Sequence, residues 1–133
     1  MGVMWTVWPL DNNMKDWLDE CAVDYPNSTS RFPTGGEIKS AISSLGEFNV
    51  KIIDNGIGGP WQASIVSGQG GETGEWALLN ITEYTGDEQT QELYFEKGWE
   101  SLIKRILQTL AEAAGPLVLI SDAGDAPEVI TYC

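Results

Sequence analysis

Carboxylates are the chemistry this chain has most of, and their spacing decides what they can do. Asp122, Asp125 and Glu128 recur within Ser121-Asp122-Ala123-Gly124-Asp125-Ala126-Pro127-Glu128, directly after an apolar run at 117–120. A loop that follows a buried strand is a common place for function, and these oxygens could hold a hard cation such as calcium or magnesium. The spacing lacks the fixed ligand series of a helix–loop–helix calcium site, and Asp and Gly are also what ordinary turns use. The segment reads as a structural turn or as part of a binding rim. Asp54, Glu75, Glu83 and Glu96 fall near predicted strand ends. Glycoside hydrolysis would need two of them at a set separation, one with a raised pKa, and no spacing in the sequence specifies that.

Other catalytic chemistry finds little support. The chain has no histidine, which removes the commonest general base and the commonest metal ligand at neutral pH. A serine or cysteine nucleophile would lack its usual activating base, and no Gly-x-Ser-x-Gly elbow occurs. Lys15, Lys39, Lys51, Lys97 and Lys104 stand in no activating motif. Gly68-Gln69-Gly70-Gly71-Glu72-Thr73-Gly74 has the glycine density of a dinucleotide loop. Such a loop must open a helix whose amides face the phosphate; here a strand is predicted to follow, and Glu72 would repel phosphate. It reads as a hairpin loop. No catalytic residue, cofactor or metal is expected. The alternative is a small-ligand or divalent-metal binding module with the 68–74 and 122–128 loops at its mouth.

Charge is the strongest single signal. Twenty acidic residues face seven basic ones, a formal net charge of −13 on 133 residues. A phosphate backbone or an anionic membrane would be repelled, so neither nucleic acid nor membrane is expected as a partner. A basic protein would be attracted, and a one-signed surface speeds its association. The acids form three groups. Asp16, Glu20 and Asp24 stand at i, i+4 and i+8, with Asp19 beside them; Glu83, Asp87, Glu88, Glu92, Glu96 and Glu100 form the second; the 122–128 loop is the third. Each alone reads as a solvated face. The expected contact residues are Asp16, Asp19, Glu20 and Asp24, then Asp122 and Asp125.

The elements that must position these groups follow from hydrophobic period. Residues 2–8 are apolar and β-prone. Pro9 and Asp11-Asn12-Asn13 end that strand and can cap a helix over 14–24, in which Met14, Trp17, Leu18 and Cys21 recur at helical spacing. Residues 25–33 read as a loop, and the lone Arg31 in it as solvated. Thr34-Gly35-Gly36-Glu37 fits a capping box, followed by Ile38, Ala41, Ile42 and Leu45, with Gly46 as a stop. Strands are expected at 48–54, 61–67, 75–84 and 91–96, with 85–90 a polar turn. A helix over 97–114 carries Trp99, Leu102, Ile103, Ile106, Leu110 and Ala113 on its apolar stripe, with Lys104 and Arg105 on its exposed side; Gly115-Pro116 ends it. A buried strand at 117–120 follows, and 129–132 is a short strand or a tail. The predicted order is β-α-α-β-β-β-β-α-β. This is an α+β fold in a single domain over 1–133, with a mixed or antiparallel sheet of about five to six strands and three helices packed on one face.

Six tryptophans are many for this length, and most are expected in the core; an exposed one would be an interface anchor. Cys21 reads as a small core residue and Cys133 as a terminal thiol, with a bridge between them left open. The first ten residues lack the basic and apolar stretches of a signal peptide, and no run approaches the length of a membrane span, so a cytoplasmic protein is expected.

A small, acidic, single-domain α+β chain without a catalytic motif resembles the immunity proteins of bacterial toxin systems. The outline is similar in Phe95-Glu96-Lys97-Gly98 leading into the last helix and Gly115-Pro116 into the following strand. The resemblance implies a cytoplasmic, non-enzymatic protein that neutralises a cognate toxin domain, often a basic nuclease or deaminase. It covers architecture and charge and transfers no individual residue.

Overall fold

Alternation in the strands builds a sheet with one strongly apolar face. The computed structural model describes residues 4–46, 48–67, 76–122 and 126–131. Its strands are β1 (Trp5–Pro9), β2 (Phe48–Asp54), β3 (Trp61–Ser67), β4 (Trp76–Ile81), β5 (Leu93–Gly98), β6 (Leu117–Ser121) and β7 (Glu128–Ile130). They form one antiparallel sheet in the order β2-β3-β4-β5-β1-β6-β7. The helices are α1 (Asn12–Glu20), α2 (Gly35–Ser43) and α3 (Glu100–Ala114). The α+β class is as expected. The strand number is higher, because Glu128–Ile130 pairs with β6 as a seventh strand.

Trp61, Ala63 and Ile65 of β3 alternate with the less buried Gln62, Ser64 and Val66, so period two selects one face. Across the register, Ala77, Leu79, Phe95, Val7, Leu117 and Leu119 continue that face, and α2 and α3 cover it with Ile38, Ile42, Leu102, Ile103, Ile106 and Leu110. Burying each of the Val, Leu, Ile and Phe side chains among these contributes about 1.5–3 kcal/mol. The opposite face is treated unevenly. Leu18 of α1 packs with Leu10 and Val118, flanked by Met14, Val23, Tyr25, Ile120 and Val129. So α1 lies on the other side of the sheet, over β6 and its neighbours. This corrects the expectation of helices on one face. The main core on one side of β6 and a smaller apolar set on the other require two layers to cover them.

Local chemistry fixes the joints. Thr34 and Glu37 form the expected capping box. The next free amides of α2 also find acceptors: the Gly35 amide donates to the Gln89 carbonyl at 3.1 Å and the Gly36 amide to Asp87 at 2.8 Å. The 82–92 segment is therefore more than a polar turn. Its centre is the buried Gln91, whose side-chain amide donates to Thr85 Oγ1 and to the carbonyls of Gly86 and Gln89. At the β5–α3 joint, Gly98 has φ +152°, and a Cβ there would lie 2.8 Å from Ala77 Cα. Only glycine fits this close strand approach, which lies beside the register shift between Leu78 and Leu79.

Arg31 is not a free loop residue. Its guanidinium donates to both Glu37 carboxylate oxygens, at 2.7 and 2.9 Å, and to the Ala113 carbonyl at 3.4 Å. Lys104 likewise does not simply point to water; it bridges Glu100 at 2.9 Å and Glu128 at 2.8 Å.

Candidate partner-binding surface

Helix α1 is short for a physical reason. Asp11 caps its start, accepting from the Met14 amide at 2.8 Å. At its other end Ala22 takes the left-handed conformation, φ +59°. The Val23 amide donates to the Leu18 carbonyl at 3.0 Å and the Ala22 amide to Asp19 at 3.2 Å. That pair of bonds is a Schellman ending, and Val23 and Leu18 supply the apolar contact that accompanies it. The helix therefore stops at Glu20, and the expected continuation to residue 24 is incorrect. Asp24 stands just beyond it, exposed.

At 3.6 residues per turn, with Leu18 pointing at the sheet, Asp16 and Glu20 point away from it, and Trp17 and Asp19 lie on opposite flanks. The structure agrees: Leu18 is fully buried, while Asp16, Trp17, Asp19 and Glu20 are exposed. Trp17 is 37% exposed, so it is not part of an inward stripe. Cys21 is also exposed rather than a core residue, because the helix rotates it off the narrow apolar contact before the chain turns. The indole of Trp17 thus stands on one flank of the helix, with Glu20 at i+3 and Asp16 beside it, and Asp19 on the other flank.

The one base of the helix is turned aside. Lys15 donates to the Asn27 carbonyl at 2.9 Å, with its ammonium 5.8 Å from the Tyr25 ring centroid. The Tyr25 hydroxyl donates to Asp19 Oδ1 at 2.9 Å. That bond to a carboxylate holds the phenol above its ordinary pKa, with desolvation and the charges of Asp19 and Asp16 adding to it. No basic residue stands in the last turn of α1, Asp19 and Glu20 crowd the negative end of its dipole, and Asp16 repels Glu20 at i, i+4. These acids oppose the stability of the helix that carries them.

The remaining sequence candidates are dispersed. Asp122 accepts from the Met4 amide at 3.1 Å, and its own amide donates to the Met4 carbonyl at 3.0 Å. It fastens the start of β1 to the end of β6, whereas Asp11 and α1 begin at the opposite end of β1. Glu128 is held by Lys104, and Asp125 lies outside the described residues, as do 68–74 and Cys133. Among the described residues, no three His, Cys, Asp or Glu side chains stand together as metal ligands.

In the second acidic group, Asp87 is engaged by Lys39 at 2.8 Å and accepts from the Tyr84 hydroxyl. Those bonds hold the Asp87 carboxyl below its ordinary pKa and push Lys39 up to about 12. These residues and Asp54 line a cleft of about 470 Å³. The Asp54 carboxylate accepts from the Gly56 amide at 2.8 Å. Lys39, Asp87 and Tyr84 thus satisfy one another within the cleft, clasping α2 to the 82–92 loop. Of the six tryptophans, Trp5 and Trp61 are buried, whereas Trp8, Trp17 and Trp99 are 43%, 37% and 45% exposed, so the expectation that most lie in the core is corrected. Trp99 is the N-cap of α3 rather than part of its stripe. Of the three exposed tryptophans, Trp17 is the one within a helix, with Glu20 one turn on. Sequence period had placed it inward, since Met14, Trp17, Leu18 and Cys21 share a half of the helical wheel wider than the sheet contact.

Compared with known proteins, the chain matches no protein-family model, no curated protein and no solved structure.

Proposed function

We propose that the protein is a non-enzymatic, cytoplasmic binding protein that neutralises a basic bacterial toxin domain through α1. The observation that carries this reading is Trp17, exposed on a helix whose outward positions are Asp16, Glu20 and, just past its end, Asp24. Tryptophan is the residue type most often found at the energetic centre of an interface, and a rim of one charge steers a partner of the other. Lys or Arg side chains of the toxin pair with the carboxylates, while its apolar surface takes the indole. The net charge of −13 adds long-range attraction. The resemblance to immunity proteins supplies the class of target.

Association kinetics test the reading. Reversing Asp16, Glu20 and Asp24 to lysine slows association with the basic partner and flattens its dependence on salt. Unchanged kinetics would remove α1 from the interface.

A further inference from the structure

The two edges of the sheet are built differently. Edge strand β7 has three residues, and its Glu128 is tied to Lys104. Edge strand β2 has seven, pairs with β3 through seven successive registered positions, and contains no proline. None of its residues is buried: Val50, Ile52 and Ile53 are 36%, 47% and 49% exposed. Natural sheets protect long edges with prolines, bulges, shortness or several charges. Here Lys51 and Asp54 are the only charged residues of the strand. An edge of this kind is a template for another strand.

We propose that β2 pairs with β2 of a second copy of this chain, antiparallel, about a two-fold axis at Val50. An axis perpendicular to the sheet keeps each face continuous, so a residue can only pair with one of its own parity. About Val50, Phe48 lies opposite the second copy's Ile52 and Val50 opposite its own counterpart. That makes an unbroken apolar row on the helix-covered side of the sheet. On the other side Asn49 lies opposite Lys51. No two like charges are directly opposed, whereas an axis at Lys51 would set two ammonium groups face to face.

Within β2 charge allows this; Asp87 and Glu88 come near the strand at its Asp54 end, in the cleft they share with Lys39. The strand has no net charge within a chain of −13. In the order β2-β3-β4-β5-β1-β6-β7, β6 and the helix packed on it stand five strands from β2, roughly 24 Å at about 4.8 Å per strand. That exceeds two Debye lengths of about 8–10 Å at physiological salt. The pairing joins two sheets into one of fourteen strands and leaves both α1 helices at its far ends, free for partners.

Sedimentation equilibrium of the full chain, over a range of concentrations and at low and high salt, tests this. A monomer–dimer equilibrium is expected, with the dimer tightening as salt rises, because screening weakens repulsion between two anionic copies. Val50→Lys places like charges on the axis and weakens the dimer by about tenfold or more. Ile52→Thr keeps the strand preference and weakens it less, and Trp17→Ala leaves it unchanged. Circular dichroism confirms that each variant keeps its fold. A chain that is monomeric throughout overturns the proposal, as does a dimer insensitive to Val50→Lys in a folded variant.

Discussion

Single side chains decide both what α1 presents and what holds the helices in place. Trp17→Ala is expected to cost about 1–2 kcal/mol of stability at most, since the residue is 37% exposed. The same change should cost about 2 kcal/mol or more in partner binding if the ring is the energetic centre of the interface. Denaturant titration beside calorimetry reads the two numbers separately. Arg31 and Glu37 make a second residue-scale case. The bond from Arg31 holds the Glu37 carboxyl down to about 2, against an ordinary value of 4.5, with help from Thr34. A lowered folded-state pKa means that this stabilisation is complete above about pH 4.5 and is lost as pH falls through 4.5 toward 2. Arg31→Ala should therefore destabilise near neutral pH by about 1 kcal/mol, and the difference from wild type should shrink across that acidic window. Urea unfolding at several pH values measures it. The capping box was legible from Thr34-Gly35-Gly36-Glu37. The role of Arg31 was not, because its partners include the Ala113 carbonyl, brought near only by the tertiary fold.

Elements were legible where alternation or helical period was long, and obscure where a single backbone angle intervened. The strand ranges 48–54 and 61–67 coincide with β2 and β3, because polar and apolar residues alternate for most of their length. The end of α1 was not legible, since alanine is a strong helix former and nothing in its identity announces a left-handed turn. The angle at Ala22 yields a prediction. Ala22→Gly relieves the strain of a Cβ at φ +59° and should stabilise the protein by up to about 1 kcal/mol, measured by the denaturant midpoint. The charges of α1 yield another. Glu20→Lys turns the Asp16–Glu20 repulsion at i, i+4 into an attraction and places a cation at the negative helix end. The change should stabilise α1 by a few tenths of a kcal/mol, read as slower amide exchange in the helix. A variant that gains stability while losing partner association would show that the acids are kept for binding, against the preference of their own helix. If α1 exchange quickened instead, the reading of its electrostatics would be wrong.

At the scale of the whole molecule, the fold separates its surfaces. The sheet buries one face under α2 and α3, carries α1 on the other, and leaves β2 exposed at one edge. The α+β class and the acidic balance were legible from composition and pattern. The side of the sheet taken by α1 was not, since a nine-residue helix with a narrow apolar contact fits either face until Val118 and Ile120 are seen to point away from Leu117 and Leu119. The grouping of site residues divides along the same line. Asp16, Asp19, Glu20 and Asp24 are near in sequence and gather at α1, whereas Asp122 is taken up by Met4 in holding two strand ends together. What most needs testing is that α1, through Trp17 and its outward carboxylates, binds a basic protein. The most direct measurement is a pull-down from the native host with three tagged proteins: wild type, Trp17→Ala, and the triple reversal of Asp16, Glu20 and Asp24 to lysine. The expectation is one stoichiometric basic partner retained by wild type at low salt, released at high salt, and lost from both variants. A partner held equally by all three proteins, or none held by wild type at either salt, would contradict it.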